Sequence, residues 1–355
     1  MTALDTAPAP VRVTSGASWW SSVVRARELG IVLALVALVG CTTVANPRFL
    51  SGQSIRDILL GTSILAVLAV GQAVVIITRN IDLSVGAVLG LSAFTVGSLV
   101  QDNPGLPVVV ALLAGLAVGG VCGLVNAVLV RYGQVPALVV TLGTLYAYRG
   151  ATYLWAGGQQ ITADELPRDF LGFADASLLG VPWLVVIAVV VIVAAGVLLR
   201  NYRLGRELYA MGSSPEAATL VGIKVGRNTL VAFATSGALA GLAGVLFAVR
   251  FGTVDAAAGT GYELNVVAAA VVGGVAVFGG SGTVWGAALG ALLLTTIGNS
   301  LAVLDIDQFW QQAIVGALIL LAIAVDRLVA LRTARALKTR ALKTRALKKG
   351  GSHVD

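Results

Sequence analysis

The sequence predicts an all-α, polytopic membrane protein of about ten transmembrane helices, with a weak internal repeat and one short cytoplasmic helix. Three observations carry this. The 355 residues are 57% hydrophobic and 12% charged, with a mean hydropathy of +0.92; a soluble domain carries roughly 25% charged residues. The apolar residues fall into runs close to the ~20 residues that cross a bilayer as a helix. The cations collect in the connections of one side, as the positive-inside rule requires.

In chain order, residues 1–28 form a polar N-terminal segment rich in Pro, Ala and Ser, expected to be mostly unstructured. The transmembrane part covers 29–330, and 331–355 is a basic tail. Spans are expected at 29–45, 57–78, 83–101, 107–130, 136–156, 181–199, 229–250, 264–279, 283–303 and 309–326. With the N-terminus in the cytoplasm, 19 of the 24 Lys and Arg fall on the cytoplasmic side, and Arg48, Arg56, Arg168 and Arg250 fall outside. Asp164, Glu165, Asp169, Asp175, Asp305 and Asp307 also fall outside. An even number of spans with both termini in the cytoplasm follows. The net charge of +7 therefore reflects topology and implies no nucleic-acid partner; the surrounding partner is the bilayer. Cys41 and Cys122 have no metal-ligand spacing, and His353 is the single histidine, so no metal or His-based nucleophilic site is expected.

The stretch from Arg200 to Asn228 is a polar island between apolar runs. It holds five cations, Arg200, Arg203, Arg206, Lys224 and Arg227, against Glu207 and Glu216. Ser214 suits an N-cap, Pro215 the first helical position and Glu216 the positive end of the helix dipole. Ala217 and Ala218 continue the turn, and Gly222 ends it. A capped helix over about 215–221 results. On a basic loop between spans it is either a knob for a soluble partner or a plain connector.

Two further stretches interrupt the apolar pattern. In Ile77–Gly86, Asn80 and Asp82 stand between two spans, with Ser84 and Gly86 allowing a close turn. A carboxylate at membrane depth is costly and usually functional, and Asp82 reads equally well as an N-cap of the following helix. In Gly259–Gly286, the pairs Gly273-Gly274 and Gly279-Gly280 either permit close helix packing or mark unwound backbone; Glu263 caps or gates the outer end of a span. Shifted by 200 residues, Gly86, Ala87, Leu89 and Gly90 match Gly286, Ala287, Leu289 and Gly290, each block following a span and a break. Internal repeats of this kind build many transporters. The five-residue repeat after Arg335, RALKTRALKTRALKK, places its leucines ~140° apart on a helix and forms no stripe; it suits a cationic tail near anionic headgroups. No phosphate-binding GxxxxGK[ST] occurs, so any nucleotide hydrolysis belongs to a partner.

On Ile81-Asp82-Leu83-Ser84-Val85-Gly86, Glu216-Ala217-Ala218 with Gly222, Gly259-Thr260-Gly261-Tyr262-Glu263-Leu264 and Gly279-Gly280-Ser281-Gly282-Thr283-Val284-Trp285-Gly286, the chain resembles the permease subunits of bacterial ABC importers for monosaccharides, over roughly residues 30–330. The resemblance implies a ten-helix permease in the bacterial inner membrane, paired with a second copy or a paralogue. It implies ATPase subunits that hold ATP and Mg, and an extracytoplasmic sugar-binding protein. The helix around Glu216 would be the coupling helix, and the permease itself would bind no cofactor. Arg79-Asn80, where many sugar permeases carry two glycines, and Phe309-Trp310-Gln311-Gln312 look more like the rhamnose and autoinducer-2 branch.

The expected function is thus passage of a monosaccharide, or a related deoxysugar or autoinducer-2-like compound, powered by a partner ATPase. Ser214, Pro215, Glu216, Ala217, Ala218 and Gly222 would couple to that partner. Asn80, Asp82, Ser84, Glu263, Gly273 and Gly274 are the candidates for the path. Two alternatives stand beside it: an ion-coupled secondary transporter relying on Asp82 and Glu263, and an ABC permease for nucleosides.

Overall fold

The second helix explains the rest of the architecture. In α2 (Gly52–Ile77) every residue from Ser63 to Ile77 is buried, so its apolar character runs all the way round, as in the centre of a bundle. The structure, a computed structural model, describes residues 17–324 and Arg327. In order come α1 (Ala17–Ala45), a single 3-10 turn, α2, α3 (Val85–Asp102), α4 (Val108–Gly133), α5 (Ala137–Ala156), the short α6 (Arg168–Gly172) and a hairpin of two two-residue strands. Then follow α7 (Trp183–Asn201), α8 (Arg203–Ser213), α9 (Pro215–Leu220), α10 (Val225–Phe251), α11 (Tyr262–Val272) and α12 (Val284–Val303). The last described helix is α13 (Phe309–Ala324).

α2 packs against α7, α10, α11 and α12, and α10 packs against α3 and α4. The tightest seam joins α4 to α10. Gly115, Gly119 and Gly123 recur every fourth residue on α4 and face Gly237, Gly241 and the Phe233 carbonyl of α10. A Cβ at Gly119 would collide with the Gly237 carbonyl and lie 2.7 Å from Gly241 Cα. Membrane helices gain little from hydrophobic exclusion and associate through such small-residue contacts. Large apolar residues point outward from α1, α4 and α7, among them Leu33, Leu113, Val121 and Val190, forming the lipid-facing girdle.

Each of the ten expected spans corresponds to a helix. Seven helices are long and apolar enough to cross a membrane: α1 from Glu28, α2, α3, α4, α7, α10 and α12. The other three expected spans are less complete. α5 has 20 residues but carries Arg149, α11 has only 11, and α13 is a shorter apolar helix. The span expected at 264–279 is therefore a helix of three turns followed by irregular backbone. α1 begins at Ala17, so the last part of the N-terminal segment, from residue 17, is helical; residues 1–16 lie outside the described residues. The basic repeat after Arg335 lies outside the described residues.

Long-range contacts sort the connections to two ends. At one end, Asn46 donates to the Val303 carbonyl (2.8 Å), Ser54 to Asn299 (2.7 Å), and Ile161 pairs with Val254. At the other, the foot of α2, the loop before α12 and the α8–α9 hairpin meet. The two matching blocks share local features. Val85 and Val284 begin α3 and α12 behind the hydroxyl residues Ser84 and Thr283. Gly86 and Gly90 sit against the carbonyls of Gly259 and Ala258, just as Gly286 and Gly290 sit against those of Gly273 and Ala269.

Candidate functional site

α9 forms as its sequence dictates. The Ser214 hydroxyl accepts from the Ala217 N–H (3.3 Å) and donates to Glu216 (3.3 Å), with Pro215 at the first helical position. The helix ends in a left-handed cap: Gly222 has φ +81, its N–H reaches the Thr219 carbonyl, and the Ile223 N–H reaches that of Ala218 (both 3.0 Å). This paired closure is why glycine suits the position. Ala218 is buried and seats the helix on the protein. Its other face is open, with Glu216 and Ala217 exposed and Leu220 and Val221 87% and 76% exposed. Aliphatic side chains presented on a capped polar knob are suited to a protein partner.

The hairpin carrying α9 is clamped by a residue the sequence reading counted only as a charge. Glu207 on α8 is buried; it accepts from Arg203 Nε (2.7 Å) and Asn228 Nδ2 (3.1 Å), and Arg227 stands 3.5 Å away. The Asn228 and Arg203 hydrogen bonds, followed by the nearby positive charges, hold its carboxyl below the usual carboxylate range. The i,i+4 spacing from Arg203 was the available signal; the Asn228 partner, 21 residues on, was not visible locally.

α8 ends against two broken helices. Gly212 lies on the Ile77 carbonyl, and a Cβ there would also sit 2.7 Å from the Gly280 nitrogen. Gly280, at φ +74, donates to Ile77 (2.9 Å), and a Cβ on it would meet Ser213 Cα at 2.8 Å. Tyr209 donates to the Gly282 carbonyl (2.8 Å). The foot of α2, the loop ahead of α12 and the stem of α9 therefore touch backbone to backbone. Protein packed at that density transmits displacement rather than absorbing it.

The expected path residues separate into three groups. Asp82 is 1% exposed, and it does not cap α3; Ser84 occupies that position. Asp82 lies two residues earlier, in the irregular stretch before the helix, and its Oδ1 accepts from the N–H (3.0 Å) and hydroxyl (2.7 Å) of Ser84. Ser236 of α10 donates to its other oxygen at 3.4 Å. Asn126 of α4 reaches Ser84 (2.8 Å), and Tyr148 of α5 reaches Asn126 (3.2 Å). Four segments are thus fastened by one buried polar network, in which Asn126, Tyr148 and Ser236 were not anticipated. Asn80 turns back onto Thr78 (3.0 Å).

Glu263 opens α11, accepting from the Gly261 N–H (3.2 Å), while its second oxygen is buried against Gly86 without a partner. Gly273 packs on Gly286, whereas Gly274 is left-handed at φ +90. The pair thus serves both readings, close packing at one residue and unwinding at the next. Arg149 ties this region together by donating to the Ala256 (3.3 Å) and Ala258 carbonyls.

Residues 54–323 match the model of a family described as "Branched-chain amino acid transport system / permease component". The chain belongs to this family of ABC importer permeases. It is 39% identical over 332 residues to the autoinducer 2 import system permease protein LsrC of Enterobacter sp. (strain 638), covering 92% of this chain and 95% of that one. The corresponding proteins of Escherichia coli (strain K12 / DH10B) and Klebsiella pneumoniae subsp. pneumoniae are 38% and 37% identical. They cover 84% and 88% of this chain, and 86% and 90% of their own lengths. No solved structure matches. The permease is a multi-pass protein of the inner membrane and the transmembrane component of an ABC import system.

Proposed function

We propose that this permease imports a monosaccharide or an autoinducer-2-like compound, handed over by an extracytoplasmic binding protein. A partner ATPase holding ATP and Mg drives it, and the permease binds no cofactor and hydrolyses nothing itself. The α9 end faces the cytoplasm with both termini, and two permease chains, identical or paralogous, form the pathway. α9 enters a groove of the ATPase. When ATP closes the ATPase pair, α9 moves, and the junction of Gly212, Ile77 and Gly280 passes the displacement to α2 and α12. The path then opens to one side at a time. Asp82 acts here as a buried fastener, not as an ion-coupling group.

The observation that carries this reading is the rigid seat of an exposed, doubly capped helix on the ends of two broken helices. The identity to autoinducer 2 permeases across nearly the whole chain supports the solute class. The test is co-purification from detergent-solubilised membranes, with ATP-dependent uptake measured in parallel, comparing the intact chain with a Glu216→Ala, Gly222→Leu double variant. The intact chain is expected to bring down an ATPase, and the variant to lose it or to lose uptake at least tenfold. Uptake that follows the proton gradient, with no ATPase recovered, would overturn the reading.

A further inference from the structure

A cavity of about 430 Å³ lies in the half of the protein away from α9, between α2, α10, α12 and the starts of α11 and α13. Its size falls in the range of small-molecule sites, roughly 300–1,000 Å³. Its chemistry sets it apart from the cavity between α2, α7 and α12, whose walls are mostly aliphatic. Here Asp57, Arg250, Tyr262, Asn265, Asn299 and Gln311 converge. A second cavity, of about 460 Å³, shares Asn265, Gln308 and Gln311 with the first and extends the polar wall.

Most of these groups are uncommitted. Among the described residues, the Tyr262 hydroxyl and the side-chain amides of Asn265, Gln308 and Gln311 make no hydrogen bond, while Asn299 uses only its oxygen, accepting from Ser54. Arg250 is placed with room reserved for it. It donates to the Asp57 carbonyl (3.2 Å), and a Cβ on Gly61 would stand 2.8 Å from its Nη1. Amides and hydroxyls both donate and accept, which matches a ligand whose own hydroxyls do the same. One carboxylate and one guanidinium leave the lining without net charge, so it selects for neither anions nor cations. Tyr262 and Phe251 supply flat apolar faces beside the polar ones.

The floor is apolar, made by Leu65 and Leu294. Asp57, Gly61 and Leu65 lie four residues apart on one face of α2, and Gln72 lies two turns further along that face. Gln72 is fully buried, and both of its side-chain amide atoms lack a partner. An unsatisfied amide inside a membrane bundle is expensive unless something polar visits it.

We infer that this cavity is the permease's own binding chamber for a small uncharged polyhydroxylated solute, closed below by Leu65 and Leu294 and leading along α2 to Gln72. The inference rests on the import function proposed above and adds to it a site and a route. The solute leaves its binding protein for the chamber, and movement of α2 and α12 parts the two leucines.

The test uses the full permease with its partner subunits in membrane vesicles, with ribose, rhamnose and autoinducer 2 as probes. For the imported probe, an Asn265→Leu, Gln311→Leu double variant is expected to lose uptake at least tenfold while still co-purifying with the ATPase. If the intact chain imports and the double variant stays within twofold of it, the chamber assignment is overturned and the import function stands. If the intact chain imports none of the three with ATP, the solute class falls and the chamber with it. Should the double variant fail to fold, alkylation of Thr295→Cys in a Cys41→Ser chain decides. The imported probe should slow alkylation at least threefold and leucine should not; equal rates would overturn the chamber.

Discussion

The two breaks in the bundle solve one problem by opposite means. After α2, residues 78–84 turn at Thr78 and a left-handed Arg79 and run on irregularly to α3, fastened by side chains: Asp82 to Ser84 and Ser236, Ser84 to Asn126, and Asn126 to Tyr148. After α11, residues 273–283 are fastened mainly by backbone, helped by Tyr209 on the Gly282 carbonyl, with Gly274, Gly279, Gly280 and Gly282 all at positive φ. Backbone free in a membrane interior must find partners inside the protein. The first break finds them in a polar network deep in the bundle. The second finds them in Ile77 and in the α8 stem. The second also meets the element that carries α9, Gly280 lying on Ser213. On the coupling proposed above, the side-chain break holds and the glycine break moves.

The largest effect should come from filling the glycine break. Gly280→Val places a branched side chain on Ser213 at a left-handed position, where overpacking alone costs about 1–3 kcal/mol. Import is expected to fall more than tenfold, with a lower unfolding temperature in detergent. Next comes the polar break. Asp82→Ala orphans the Ser84 and Ser236 donors at about 1–3 kcal/mol each and should lower thermal stability clearly, whereas Asp82→Asn keeps an acceptor and should lower it less. Equal effects of the two would mean that the network does not fasten the break. Tyr209→Phe removes one hydrogen bond to Gly282, worth about 0.5–1.5 kcal/mol, and should reduce import severalfold with little change in unfolding temperature.

The smallest expected effect concerns the α8–α10 clamp. The folded pKa of Glu207 is lowered, so its stabilisation is present above the unfolded value of about 4.3 and is lost as pH falls through the folded one. Proteolysis within residues 201–228 should therefore rise below roughly pH 4.3 in the intact chain. In Glu207→Gln that pH dependence should disappear.

α9 was legible in the sequence because caps are local: Ser214, Pro215 and Gly222 each act within one turn. The break at Asp82 was legible as polarity between two apolar runs, and the repeat as glycines at matching positions. The network around Asp82 was not, because Asn126 lies 42 residues from Ser84, and Ser236 lies 154 residues from Asp82. Their meeting depends on how α4 and α10 pack. Gly212 was equally silent, since a glycine declares its purpose only through the backbone it touches. The glycine pairs of the 264–279 run were the sign that it could break, and Gly273 and Gly274 do end the helix early. The mean polarity of that run gives no sign of the unwinding.

The proposed route from α9 to the bundle runs through the contact of Gly212 with Ile77 and Gly280. The most direct measurement is the number of solute molecules imported per ATP hydrolysed by the reconstituted complex, for the intact permease and for Gly212→Ala. The variant is expected still to recruit the ATPase and hydrolyse ATP, while its import per ATP falls at least tenfold. An unchanged ratio in a folded Gly212→Ala complex would contradict it.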